Sequence, residues 1–98
     1  MVSAEVLWEK LKTRQDAISR DLGEDEGLQA EYLAPTGQML FIRDVGYYSD
    51  IDDLIFLVGE DAYSGEECQT IAPPHAVQIV FRVSKSASKH RKIGFEKE

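Results

Sequence analysis

The stretch DVGYYSDIDDLIFLVGEDAYSGEE, residues 44–67, contains an uninterrupted apolar run, LIFLV, at residues 54–58. A run without polar alternation is typical of a strand that is covered on both faces. We therefore predict that it forms the central strand of a sheet, with a helix on one face. The whole stretch has eight acidic residues and no Lys or Arg. The acidic segments beside the strand predict solvated loops, with a cation site or an acidic docking surface as the alternatives.

A helix is predicted before the first strand. Ser3 is suited to the N-cap position, and Glu5 in the first turn is favourable to the helix dipole. Gly23 offers the left-handed residue that often follows a helix, so we predict a helix over residues 4–22. Its apolar stripe consists of Ala4, Leu7, Leu11, Ile18 and Leu22, with Val6 and Trp8 on the flank.

Short apolar segments separated by turn residues follow this helix. We predict strands over residues 28–34, 38–48, 54–59, 67–72 and 76–84. Gly46 within the second strand predicts a bulge or a sharp bend. Because the turns are too short for parallel crossovers, neighbouring strands should be antiparallel. The predicted fold is α+β: an N-terminal helix packed on a five-stranded, strongly bent antiparallel sheet, or a small SH3/Sm-like β-barrel.

The chain divides by charge into an acidic body and a basic end. Residues 1–83 hold 16 acidic and six basic side chains, and we predict that they form one globular domain. Residues 84–98 are rich in Ser and Lys and lack a period, which predicts a disordered tail in which Ile93 and Phe95 are the possible anchors. Its candidate contact residues for nucleic acid or an acidic partner are Lys85, Lys89, Arg91 and Lys92.

The sequence favours a reducing compartment. Cys68 is the single cysteine of the chain, so an intramolecular disulfide is impossible. No apolar run approaches the roughly 20 residues of a membrane span. The N-terminus lacks a basic leader followed by an apolar stretch, so no secretory signal is expected. We therefore expect a cytoplasmic protein without membrane contact.

Three loops are predicted at one end of the sheet, because the loops of an up-and-down meander alternate between its two ends. They are GEDEG at residues 23–27, SDIDD at residues 49–53 and PPH at residues 73–75. The resulting candidate docking patch consists of Glu24, Asp25, Glu26, Asp50, Asp52, Asp53 and His75. Oxygen ligands of this kind suit Ca²⁺ or Mg²⁺, but the spacing lacks the glycine and the later Glu of a calcium loop. We predict a solvated acidic surface with no metal and no cofactor.

Catalysis has little support in the sequence. The chain has no G-x-S-x-G, P-loop, G-x-G-x-x-G or H-E-x-x-H motif. A nucleophile with its base would require His75 together with a serine or Cys68, and Cys68 falls in a predicted strand, where a buried small apolar residue is the ordinary interpretation. We therefore predict that the protein is not an enzyme.

Aromatic residues offer a further candidate contact surface. Tyr47 and Tyr48 point to opposite faces of an extended segment, so one of them should lie in the core. The other, with Tyr32 nearby, could form a surface patch that binds a protein or stacks on bases. Tyr63 lies in a predicted turn and is a second candidate contact residue.

The segment PHAVQIV, residues 74–80, resembles the second motif of the Sm-like proteins, and Tyr32-Leu33 before Gly37 is loosely similar to the first. A helix followed by five short strands is also the order of that fold, which includes a bacterial RNA chaperone. The sequence departs from the pattern of this family at the turn at residues 35–37, at the long loop at residues 62–67 and in its acidic body. The resemblance therefore does not assign the chain to the family. The resemblance implies assembly through outer strands, and the corresponding edge here is Gln78, Val80 and Arg82.

Taken together, these features favour a small non-catalytic binding or adaptor module that acts through protein–protein contacts. We expect it to associate with itself and with an unidentified protein, and we expect no nucleic acid partner. The first alternative is an Sm-like RNA-binding ring protein. The second is an acidic-surface regulator of a basic or nucleic-acid-binding partner. A metal-dependent hydrolase is the least favoured alternative.

Overall fold

The computed structural model describes residues 3–48, 53–85 and 93–97, which form one helix packed against a bent sheet. In chain order the elements are α1 (Ala4–Arg20), β1 (Gly27–Leu33), β2 (Met39–Tyr47), β3 (Ile55–Asp61), β4 (Glu67–Ala72), a 3₁₀ turn (Pro74–Ala76), β5 (Ile79–Ser84) and β6 (Gly94–Lys97). The predicted α+β class, the N-terminal helix and the antiparallel sheet are confirmed. No helix formed by the described residues has the length and apolar character needed to span a membrane.

The sheet has six strands instead of the predicted five, and it is not closed. Its order is β4-β3-β2-β1-β5, with antiparallel neighbours throughout, and β6 pairs with β2 in parallel. The central strand is therefore β2. The apolar run at residues 54–58 was predicted to be central and covered on both faces, but β3 lies second from the end. Phe56 and Val58 are half-buried because the helix packs on the opposite face of the sheet.

The strand β1 contributes to two different parts of the sheet. It pairs with β2 only from Glu31 to Leu33, whereas from Gly27 to Tyr32 it pairs with β5. The edge of β2 that β1 leaves is taken by β6. Near this changeover the register of β2 shifts between Ile42 and Asp44, whereas the bulge was predicted at Gly46. Gly46 instead leaves room for the ring of Phe56, which occupies the space of a Cβ there and would have to move for any larger residue.

The C-terminal segment differs from the predicted disordered tail. Residues 84–98 were assigned to this tail, but Gly94–Lys97 forms β6, and Ile93 beside it is buried. Lys85 is exposed, as a candidate contact residue should be. The other basic candidates Lys89, Arg91 and Lys92 lie outside the described residues.

The helix begins as predicted and presents a shifted stripe to the core. The Ser3 hydroxyl accepts a hydrogen bond from the Val6 N–H at 3.2 Å, and the C-cap is Asp21 rather than Gly23. Trp8 is buried at the centre of the stripe, and its indole N–H donates to the Val45 carbonyl of β2 at 3.2 Å. The buried residues of the helix are Ala4, Trp8, Leu11 and Gln15.

The last predicted strand is divided in the structure. The strand was predicted from residue 76, but Pro74 begins a 3₁₀ turn and β5 starts only at Ile79. Ile79 and Phe81 pack against the core, as does Val77 before the strand. Val83, next to the end of β5, is 43% exposed.

Candidate protein-binding surfaces

The described acidic loop residues lie beyond opposite ends of α1. The Asp53 carboxylate accepts a hydrogen bond from the Ala4 N–H at 2.8 Å, at the start of the helix. Glu24, Asp25 and Glu26 follow the end of the helix. Because α1 has 17 residues, these ends are about 25 Å apart. The structure therefore differs from the predicted single acidic patch, and Asp50 and Asp52 lie outside the described residues.

Strand pairing explains this difference. The prediction assumed a meander in which the last strand lies beside β4, but β5 pairs with β1, and the first half of β1 leaves β2. The start of β1 is thus carried away from the end of β2. Ala72 at the end of β4 is paired with Ile55 at the start of β3. The exposed His75, three residues after Ala72, and Asp53, two residues before Ile55, are therefore at the same end of the sheet. The bending of the sheet therefore divides the predicted patch.

The acidic residues and the cysteine do not form a chemical site in the described part of the chain. Residues 3–48, 53–85 and 93–97 contain no group of three or more His, Cys, Asp or Glu side chains placed to hold a metal ion. Cys68 is half-buried on β4, and burial raises the pKa of its thiol, with further contributions from Asp61, Glu66 and Glu67. A raised pKa keeps the thiol protonated, which is the opposite of what a nucleophile needs.

The predicted oligomer edge lies at one end of the sheet. The Gln78 carbonyl accepts a hydrogen bond from the Leu33 N–H at 3.2 Å, and the register continues with Val80 opposite Glu31. In an antiparallel pair, alternate residues turn their backbone groups to the partner. The N–H groups of Phe81 and Val83 therefore point away from β1. Among the described residues no strand pairs with β5 on that side.

The other two edge candidates differ in their contacts. Arg82 forms a bidentate ion pair with Glu31, with Nε 3.0 Å from Oε2 and Nη2 3.1 Å from Oε1. The Glu31 side chain is buried, and this pairing raises the pKa of the Arg82 guanidinium. The Arg82 side chain therefore links β5 to β1. Gln78 is exposed and Val80 is half-buried. Of the three candidates, Gln78 is the one that is open to solvent without such a contact in the sheet.

An apolar row lies on the outer face of the sheet, which we define as Tyr48, Phe56 and Ile71. Phe56 is paired with Ile71 of the terminal strand β4, and its ring lies 5.4 Å from that of Tyr48. Ile71 is 57% exposed. Tyr47 is buried and Tyr48 lies on the other face, as their alternation predicted, whereas Tyr32 is buried in the core rather than near this row. Tyr63 is exposed in the turn after β3.

Ile93 and Phe95 anchor the C-terminal segment as predicted, but the site that holds β6 was not predicted. We call this site the strand slot and define it by Trp8, Gln15, Asp44 and Val45. The Gln15 side chain is buried, accepts a hydrogen bond from the Ile93 N–H at 2.7 Å and donates to the Ile93 carbonyl at 3.3 Å. The signal in the sequence was a glutamine within the apolar stripe of α1, together with the alternating pattern Ile-Gly-Phe at residues 93–95.

No protein family model, curated protein or solved structure matches this chain. The described part of the chain presents three candidate binding surfaces: the free side of β5, the apolar row beside β4 and the strand slot.

Proposed function

We propose that this protein is a small, non-catalytic, cytoplasmic binding module that acts through protein–protein contacts and associates with itself. The observation that carries the proposal is that no strand of the described residues pairs with the side of β5 facing away from β1. Unpaired backbone groups along a terminal strand are a ready template for a strand of another chain. Two copies that pair their β5 strands around a twofold axis would join their sheets through one self-complementary contact.

Apolar side chains beside this edge support the same proposal. Leu33 and Val83 are 36% and 43% exposed, and they lie near the two ends of the β1–β5 ladder. Burying them in a contact between copies would add hydrophobic stabilisation to the backbone hydrogen bonds. Arg82 is neutralised by Glu31, so the edge does not present an unpaired guanidinium to the second copy.

We also propose that the bent sheet is a small SH3/Sm-like barrel with an open seam. The support is that β5 pairs with β1 and that β1 separates from β2, which folds the sheet into two halves around the core. In such a barrel the two terminal strands β4 and β5 would lie on either side of the seam. The strand pairing around the molecule is then interrupted there.

The test uses a proline that removes one outward N–H. Val83→Pro should leave the β1–β5 ladder intact, because the Val83 N–H points away from β1, and proline is tolerated at such edge positions. Val83→Thr is the matched control, since it keeps the N–H and the branched shape. We expect size-exclusion chromatography with light scattering to show a smaller assembly for Val83→Pro alone. Equal masses for both variants and the wild-type chain would contradict pairing through β5.

An Sm-like RNA-binding ring is the second candidate. It is favoured by the place of PHAVQIV, which forms the 3₁₀ turn and opens the terminal strand β5. The net charge of −7 speaks against it, because phosphate binding needs local positive charge. Replacing Lys85, Lys89, Arg91 and Lys92 by glutamine while keeping β6 should abolish a salt-dependent RNA shift if the ring binds RNA. No shift of the wild-type chain at low salt would rule this candidate out.

An acidic-surface regulator of a basic partner has less support. The described acidic loop residues lie at opposite ends of α1 instead of on one surface, and two of them hold backbone groups. Asp53 caps the helix, and the Glu26 carboxylate accepts a hydrogen bond from the Gly23 N–H at 2.8 Å. These contacts give both carboxylates a role in the fold itself.

A further inference from the structure

The C-terminal strand is held in the strand slot in the manner of a bound peptide. In β-strand addition, main-chain hydrogen bonds supply affinity, and alternate side chains in pockets supply specificity. Gly94–Lys97 pairs in parallel with Asp44–Tyr47 of β2, which supplies the main-chain part. The backbone of Ile93 just before this strand is held at both its N–H and its carbonyl by Gln15. The segment therefore has a defined register in the slot.

Three successive positions of the segment have different requirements. Ile93 is 6% exposed and belongs to the core cluster. At Gly94 a Cβ would meet the Asp44 carboxylate, so a side chain there would have to displace it. Phe95 packs edge-on against Trp8, with 5.7 Å between the ring centroids. The slot thus fits the order apolar, glycine, aromatic.

The walls of the slot have contacts of their own that do not involve β6. The Trp8 indole donates to the Val45 carbonyl, and its ring lies 5.3 Å from that of Tyr47. Val45 is also paired with Leu57 of β3. Two of the four residues that define the slot, Trp8 and Val45, are thus held by contacts outside β6. We expect these two residues to stay in place when β6 leaves, so that the slot can take up another strand.

We infer that the strand slot accepts residues 93–97 of a second copy, so that two copies exchange their C-terminal strands. The segment that the structure shows to fit is the one each copy carries, so exchange preserves every contact of the slot. A short terminal segment can open locally at a lower free energy than the whole domain. This inference rests on the proposed self-association and names a contact that is separate from the free side of β5.

Disulfide trapping tests the exchange directly in the full-length chain. Asp44 and Gly94 are opposite each other in the β2–β6 register. One chain carries Asp44→Cys and the other carries Gly94→Cys, both with Cys68→Ser to remove the native thiol. When equimolar amounts are mixed and oxidised, random pairing of exchanged dimers should crosslink about half of them. Each variant oxidised by itself gives the background for the comparison.

The control places both cysteines in one chain. An intramolecular disulfide in Asp44→Cys/Gly94→Cys shows that the geometry permits the bond. If this bond forms while the mixture gives no more covalent dimer than either variant alone, exchange between copies is ruled out. The bond depends on the slot alone, so the result stands whether or not pairing through β5 is found.

A second measurement covers the case in which the cysteine variants do not fold. Isotope-labelled and unlabelled wild-type chains are unfolded in urea, mixed and refolded together, and isotope-filtered NMR then detects contacts between chains. We expect a contact between the Phe95 ring of one chain and the Trp8 indole of the other, since the two ring centroids lie 5.7 Å apart in the slot. Detection of this contact only within one chain would overturn the inference.

Discussion

Asp53 illustrates at the residue scale how acidic side chains serve the fold. Its backbone is in the left-handed region, with φ of 51°, and its carboxylate caps a helix that begins 49 residues earlier in the chain. Composition predicted a solvated acidic loop here, because local sequence contains no information about a partner so far away. Ser3 was predicted as the N-cap, since its acceptor role is set by residues next to it.

Asp53→Ala should destabilise the protein by about 2 kcal/mol, from the lost cap and the strain of alanine in a left-handed conformation. Asp53→Asn is the control, because asparagine keeps the acceptor and tolerates that conformation. Urea unfolding followed by circular dichroism measures both. Similar losses for the two variants would show that the carboxylate hydrogen bond to Ala4 is not what stabilises this end of the helix.

Cys68 should titrate at a higher pH in the folded protein than in the unfolded chain. Burial and nearby carboxylates raise the pKa of its thiol, so the reactive thiolate forms at a higher pH than in the unfolded chain. The rate of alkylation by iodoacetamide is measured against pH in buffer and in urea. We expect the midpoint of the profile to fall to its ordinary value in urea. A native midpoint equal to or below the unfolded one would contradict the buried, acidic surroundings of this thiol.

At the scale of elements, local patterns located most of the secondary structure, whereas long-range contacts escaped them. The predicted strand at residues 67–72 coincides with β4, because turn residues bound it on both sides. β6 was missed because four residues of a Ser- and Lys-rich segment become a strand only through β2 and α1. The same holds for the candidate binding surfaces. The opposite facing of Tyr47 and Tyr48 followed from local alternation, whereas the relative positions of the acidic loops depend on which strands pair.

Gln15 connects α1 to the segment that precedes β6, so its loss should act mainly on that strand. Gln15→Met keeps the size of the side chain but leaves the Ile93 N–H and carbonyl without their partners. Two lost hydrogen bonds predict about 2 kcal/mol of destabilisation. Hydrogen exchange read by mass spectrometry should show faster exchange at residues 93–97 than in β3.

The surface variant Glu9→Gln serves as the control for Gln15→Met, because Glu9 is exposed on the same helix. It should leave the exchange of the C-terminal segment unchanged. Uniformly faster exchange in Gln15→Met, with no preference for residues 93–97, would show that the glutamine supports the whole core rather than the strand slot.

At the scale of the whole molecule, topology decides which surfaces are open. Pairing between β4 and β5 would close the sheet into a barrel without free strand edges. In the described residues these two strands are not paired, so β4 ends the sheet on one side and β5 ends it on the other. The bend of β1 away from β2 creates the slot that β6 fills. Local sequence patterns do not predict the open strand edges or the slot, because both depend on which strands pair with each other. The proposed self-association depends on this arrangement.

The absolute mass of the wild-type chain tests this proposal most directly. Size-exclusion chromatography with light scattering over a range of concentrations is combined with the 260/280 nm absorbance ratio of the same peak. We predict a dimer or larger assembly that dissociates on dilution and has the absorbance of protein alone. A monomer at every concentration would contradict self-association, and a ring that carries nucleic acid would favour the Sm-like alternative.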